Sequence, residues 1–238
     1  MTAPGRAANP VFCALDTPDP VHALGLAAKL HGRVGGFKLG LEFFAALGPA
    51  GFRAIAETAP DMPLFLDLKL HDIPNTVEGA VAALLPLKPA FLTVHAAGGS
   101  EMMRAARKAA DKAGAARPKL LGVTVLTSLD GENLAEVGQD SDVARQTLRL
   151  AKLAKDSGLN GAVCSPQEIA PLRTALGPDF ILMVPGIRPS WAATNDQKRV
   201  MTPKEAMQAG ASYLVIGRPI TGASDPAAAA DRVINELA

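Results

Sequence analysis

Eight short apolar runs, spaced at fairly regular intervals, constrain this chain more than any other feature. They are PVFCALD (10–16), GGFKLG (35–40), PLFLDLKL (63–70), AFLTVHA (90–96), KLLGVTVLT (119–127), NGAVCS (160–165), FILMVPG (180–186) and SYLVIG (212–217). Each has the length of a strand. Several are apolar almost without a break, the pattern of strands covered on both faces. Helix-like stretches follow the first, third, fourth, fifth, sixth and eighth runs. DPVHALGLAAKLHG places Val21, Leu24 and Ala28 on one helical face, with Gly32 as a stop. In SEMMRAARKAADKAG, Ser100 is the expected N-cap and Gly114 the expected C-cap. Ser165 and Glu168 have capping-box spacing, and Pro166 suits a first helical turn. Eight strands alternating with helices predict an α/β fold, a (β/α)8 TIM barrel, with an open doubly wound sheet as the alternative.

The chain has 238 residues, a length that α/β barrels reach as one unit. Residues 1–9 read as a flexible N-terminal arm and 10–238 as a single barrel domain. Hydrophobic residues make up 48% and aromatic ones only 4%, which predicts an aliphatic core. A formal charge of +1 offers no broad basic surface for nucleic acid, so anion recognition must be local. Cys13 and Cys164 lie inside apolar runs and read as small buried residues in a reducing compartment, not as a disulfide. No Cys/His cluster with ligand spacing accompanies them, so no metal site is expected. No segment reaches the roughly 18 apolar residues of a membrane span. MTAPGRAANP lacks a signal-peptide pattern, and a cytoplasmic location is expected.

In such a barrel, chemistry sits where strands end and the loops toward the helices begin. The first strand ends in Asp16, the second in Lys38, the third in Asp67 and Lys69. His95 ends the fourth, Thr127 and Ser128 the fifth, Arg188 follows the seventh, and Gly217 and Arg218 end the eighth. Asp67 and Lys69 are two residues apart, so on a strand they share one face, while Leu66, Leu68 and Leu70 share the other. A lone D-x-K is usually a structural ion pair. Here Asp72 follows on the loop and Lys38 ends the neighbouring strand. Interleaved carboxylates favour the ammonium form of nearby lysines, and an ammonium group can donate a proton or stabilise a developing carbanion.

The stretch DLKLHDIPNT closely resembles the signature D-x-K-x-x-D-I-P-N-T of the orotidine 5′-phosphate decarboxylase family. Asp16 in ALD, Lys38 in FKLG, then TVHAAGG, VLTSL, VPGIRP and IGRPIT follow in that family's order, so the resemblance covers nearly the whole chain. It implies removal of CO2 from orotidine 5′-monophosphate (OMP) to give UMP, the last step of de novo pyrimidine synthesis, with no cofactor. It implies that Lys69 protonates C6 of the pyrimidine, that Asp67 sits against the departing carboxylate, and that Lys38 bridges Asp67 and the ribose. It also implies a homodimer in which Asp72 completes the partner's site, with Ile73 and Thr76 beside it. Asp16 then binds a ribose hydroxyl. Thr127 and Ser128 meet the base, their alternative being a simple loop cap. Arg188, Gln197, Gly217 and Arg218 serve the phosphate end, Gln197 from the long loop after the seventh strand.

Other residues take plainer readings. His95 reads as a hydrogen-bonded packing residue and His71 as outside the defining positions of the signature. Trp191 is either an anchor of the seventh loop or packing within it. Pro74 fixes the turn before a helix begun by Asn75 and Thr76. The nearest rival function is a metal-dependent phosphosugar barrel such as a keto-gulonate-phosphate decarboxylase. It would need an acid where Lys38 stands. A catalytically silent nucleotide-binding barrel would lack the lysines or Arg218, all of which are present.

Overall fold

A computed structural model describes residues 9–192 and 201–237. The strands are β1 (Val11–Ala14), β2 (Gly36–Leu39), β3 (Leu64–Leu70), β4 (Phe91–His95), β5 (Lys119–Val123), β6 (Gly161–Val163), β7 (Ile181–Val184) and β8 (Tyr213–Ile216). All pair in parallel with their sequence neighbours, and β8 closes onto β1. The closed (β/α)8 barrel predicted from the apolar runs is therefore present, and the open sheet is not. The helices are α1 (Pro20–Leu30), α2 (Leu41–Thr58), α3 (Pro74–Leu84), α4 (Gly99–Asp111), α5 (Gly131–Glu136), α6 (Val143–Asp156), α7 (Ile169–Leu176), α8 (Pro203–Ala209), α9 (Arg218–Thr221) and α10 (Pro226–Asn235). Residues 1–8 of the expected arm lie outside the described residues. Asn9 anchors the entry to β1, donating to Arg33 O at 2.9 Å and accepting the Val11 N–H at 3.0 Å.

Strand alternation divides the apolar residues into two cores. Val11, Cys13, Phe37, Leu39, Leu64, Leu66, Leu92 and Val94 face outward and pack under the helices. Phe12, Phe65, Phe91, Leu121, Met183 and Val215 fill the barrel. The core under the helices is mostly aliphatic, as expected from composition, and only the barrel interior departs from this. Phe12 meets Phe65, Phe91 and Tyr213 edge-to-face, with centroids 5.4–6.3 Å apart. Aromatics are scarce in the chain, and four of its ten, Phe12, Phe65, Phe91 and Tyr213, meet at its centre, where their bulk plugs the barrel below the site. Gly36 makes this possible, since a Cβ there would lie 2.3 Å from the Phe12 ring.

Among the described residues, four α-helices escaped the sequence reading: α2, α5, α8 and the single turn α9. α2 contains Gly48-Pro49, with Gly48 at φ 55° and ψ −154°, so it is two helical segments across a kink. The Gly48-Pro49 pair is the kink itself. The short α5 and α8 lie within the loops after β5 and β7. In α1 the buried stripe is Ala23, Leu26, Ala27 and Leu30, whereas Val21 is 78% exposed. Of the face expected from Val21, Leu24 and Ala28, only Leu24 packs on the core, and Val21 and Ala28 are exposed. In α4 the N-cap is Gly98, not Ser100, and the C-cap is Lys112; Gly114, at φ 55°, opens a separate 3-10 turn. Glu168 does reach back to the Ser165 N–H at 2.8 Å. Both cysteines are buried and unpaired, and burial pushes the Cys13 thiol up to about 12. No helix of the described residues is long and apolar enough to cross a membrane.

Candidate active site

Four charged side chains from three adjacent strands meet at the C-terminal mouth of the barrel. Lys38 Nζ donates to Asp16 Oδ1 at 2.8 Å and lies 3.9 Å from Asp67 Oδ2. Lys69 Nζ donates to the same Asp67 oxygen at 2.8 Å. The result is an unbroken alternation, Asp16–Lys38–Asp67–Lys69. Lys38 and Asp67 are buried, where an unmatched charge would be costly, so each is held between opposite charges. Gly40 leaves room for the outer pair, since a Cβ there would stand 2.8 Å from both Asp16 Oδ1 and Lys38 Nζ.

The sequence reading paired Asp67 with Lys69 by simple alternation. The two side chains do meet, but by another route. Lys69 has φ 51°, in the left-handed region that a non-glycine residue rarely adopts, at a cost of about 1–3 kcal/mol. The pairing of β3 with β4 shifts register between Leu66 and Leu70. The strand end is thus bulged, and Lys69 is carried on the distortion.

These charges open into a cavity of about 230 Å³, walled by Lys38, Asp67, Lys69 and Thr127 with an apolar surface that includes Phe65 and Val215. Such a pocket is dry on most sides and charged on one, which strengthens electrostatic interactions within it. A larger cavity of about 930 Å³ opens at the other end of the barrel, by Asn9 and His31, and its Arg33 and Asp231 already pair with each other.

The remaining expected site residues fall into three groups. Thr127 lines the cavity, and Ser128 is exposed on the same turn. Arg188 is buried just beyond β7, whereas Gly217 and the exposed Arg218 lie at the end of β8. Gln197 lies outside the described residues. Asp72, Ile73 and Thr76 stand apart from the charged row. Asp72 is exposed and accepts its neighbour's Ile73 N–H at 2.6 Å, and among the described residues no ion pair reaches it. Ile73 is 66% exposed. Pro74 occupies the first turn of α3, as expected.

Two further groups shape the mouth. His95 stacks on His71, with ring centroids 5.0 Å apart and planes 14° apart, and its Nδ1 accepts the Ala97 N–H at 3.3 Å. Burial, then the nearby His71 and Lys69, lower its pKa to about 4. It is therefore neutral at pH 7, in keeping with a packing role. Because the unfolded imidazole titrates near 6.5, the unfolded state binds more protons below that value. Stability should therefore fall as pH drops from about 6.5 toward about 4. Urea melts at both ends of this window check the fall, which His95→Gln should reduce.

The second group is Thr93, which the sequence reading missed. Its hydroxyl donates to Asp67 Oδ1 at 3.0 Å and accepts the Lys69 N–H at 2.8 Å. The available signal was a single hydroxyl inside the apolar run AFLTVHA, two residues before His95 and on the same face. Trp191, left undecided before, packs on the core under the Arg232 guanidinium, 4.2 Å from its ring. Ser190 donates to Glu236 at 2.9 Å, so the start of the seventh loop is tied down near α10.

A parallel barrel whose strand ends gather alternating lysines and carboxylates around a pocket has the layout of a barrel enzyme that works by electrostatics. Residues 9–233 match the orotidine 5′-phosphate decarboxylase / HUMPS family. A relative from Rhodospirillum rubrum, named orotidine 5′-phosphate decarboxylase, is 56% identical, with 96% of this chain and 94% of that one covered. One of the same name from Moorella thermoacetica is 49% identical over 98% of this chain and 93% of its own. The crystal structure of orotidine 5′-phosphate decarboxylase from Lactobacillus acidophilus superposes with a TM-score of 0.85 at 39% identity, covering 96% of this chain and 99% of that one. This chain belongs to the orotidine 5′-phosphate decarboxylase / HUMPS family and is an enzyme.

Proposed function

We propose that this enzyme removes CO2 from OMP to give UMP, the last step of de novo pyrimidine synthesis, as a cytoplasmic homodimer with no metal or organic cofactor. The row Asp16–Lys38–Asp67–Lys69 at the pocket carries this reading. A phosphosugar barrel using a divalent metal would need oxygen donors around the ion. Here the Lys38 ammonium stands between Asp16 and Asp67, repelling a cation where their carboxylates would bind it.

Breaking the C6–carboxylate bond leaves its electron pair on an sp2 carbon with little resonance help. A fixed ammonium group in a largely apolar pocket stabilises that charge without having to reorganise. Lys69 then gives its proton to C6 and is left as a neutral amine, to be reprotonated from solvent. Asp67 orients Lys69 and faces the departing carboxylate. Lys38 and Asp16 hold the ribose, and Thr127 and Ser128 meet the pyrimidine. Gly217, Arg218, Arg188 and Gln197 serve the phosphate, whose binding energy is then available to assemble the site. Asp72, with Ile73 and Thr76, completes the site of the other subunit.

Ultraviolet-monitored loss of OMP in the presence of EDTA tests the reading. Conversion to UMP at an unchanged rate with chelator is the expected result. A well-folded enzyme that leaves OMP untouched, or that needs added Mg2+, would overturn it.

A further inference from the structure

Leu66 pairs with Leu92 and Leu70 with Val94, so Asp67, Leu68 and Lys69 together face Thr93 alone. A bulge of this kind leaves backbone groups without ladder partners, and buried ones must find others. Thr93 supplies one. Its side chain is fully buried, and a hydroxyl has a single proton to give. The carboxylate of Asp67 can only accept and the Lys69 N–H can only donate, so the directions of both hydrogen bonds are settled. One oxygen atom thus links the backbone of the lysine to the side chain of the acid that the lysine pairs with.

We propose that Thr93 is a positioning residue for the reaction. Its hydroxyl holds Lys69 in its left-handed backbone conformation and turns Asp67 so that the other carboxylate oxygen meets the Lys69 ammonium. This rests on the decarboxylase reading above. Thr93 is not among the cavity walls, so it acts through its neighbours rather than on substrate. Lys69 at φ 51° has a more comfortable extended alternative, in which the strand end regularises and its side chain leaves the pocket. Asp67, without Thr93, is free to rotate toward Lys38, 3.9 Å away. Both motions would spoil the placement of the proton donor while leaving the base and phosphate contacts intact.

Thr93→Val is nearly isosteric but has no hydroxyl, and Thr93→Ser keeps the hydroxyl. Thr93→Val should lower kcat for OMP by about 10²-fold with KM within about threefold, and Thr93→Ser should stay within about fivefold of wild type. Crystal structures of both variants decide the geometry independently of turnover. In Thr93→Val, Lys69 should leave the left-handed region or its ammonium should leave Asp67, and in Thr93→Ser neither should happen. Wild-type kcat in Thr93→Val overturns the proposal. So do equal losses in both variants with Lys69 and Asp67 unmoved. If the wild-type enzyme itself does not act on OMP, the decarboxylase reading fails, and the crystallographic comparison still decides whether the hydroxyl holds Lys69. Should Thr93→Val not fold, Thr93→Ala removes the same hydroxyl with room to spare and carries the same comparison.

Discussion

Lys69→Ala is expected to lower kcat for OMP by about 10⁴-fold or more, because the substitution removes both the proton donor and the charge that stabilises the carbanion. General acid catalysis and electrostatic stabilisation are each worth about 10²-fold or more, and one ammonium group supplies both. Folding should survive the change. Asp67 loses its 2.8 Å partner but keeps the Thr93 hydroxyl at 3.0 Å and Lys38 at 3.9 Å, so its buried charge is not stranded. Steady-state kinetics with a thermal melt as control would check this. A loss of less than about tenfold would remove Lys69 from the chemistry, since a single general acid accounts for at least that much.

Mixing two inactive variants should restore activity. Asp72 is exposed, is tied among the described residues only to its neighbour's backbone and lies outside the charged row of its own chain. If it serves the partner's site, a Lys69→Ala chain paired with an Asp72→Ala chain forms one dead site carrying both lesions and one intact site carrying neither. Random exchange of subunits makes half of the dimers mixed, each with one good site of two, so about a quarter of wild-type activity should return. Assays of the variants alone and after exchange at equal total concentration would measure it. Activity that never rises above the mean of the two variants would place Asp72 in its own subunit's site. The exposed Ile73 beside it suits a face that a second subunit covers.

The amino-acid sequence alone determined the number of strands, their places along the chain and the strand ends where charged residues gather, whereas closure of the barrel was decided by the tertiary structure. The reason is local: apolar runs covered on both faces have a readable length, and charges at the ends of such runs have nowhere to go but the barrel mouth. The row from Asp16 to Lys69 follows from strand-end positions, and DLKLHDIPNT made the family recognisable. Only the tertiary structure decided what depends on contacts between distant segments. No helix was expected after the second run, yet α2 forms there, in two segments across the Gly48-Pro49 kink. Val21 and Ala28 lie at helical spacing, yet the barrel covers Ala23, Ala27 and Leu30 instead. Four of the ten aromatics meet at the barrel centre because four strands bring Phe12, Phe65, Phe91 and Tyr213 together. Thr93 is a plain threonine in sequence, and its role exists only because β4 lies beside the bulge of β3. The left-handed backbone at Lys69 has the same origin, since a regular strand would leave a lysine extended, and it departs from that only where the register shifts beside Thr93.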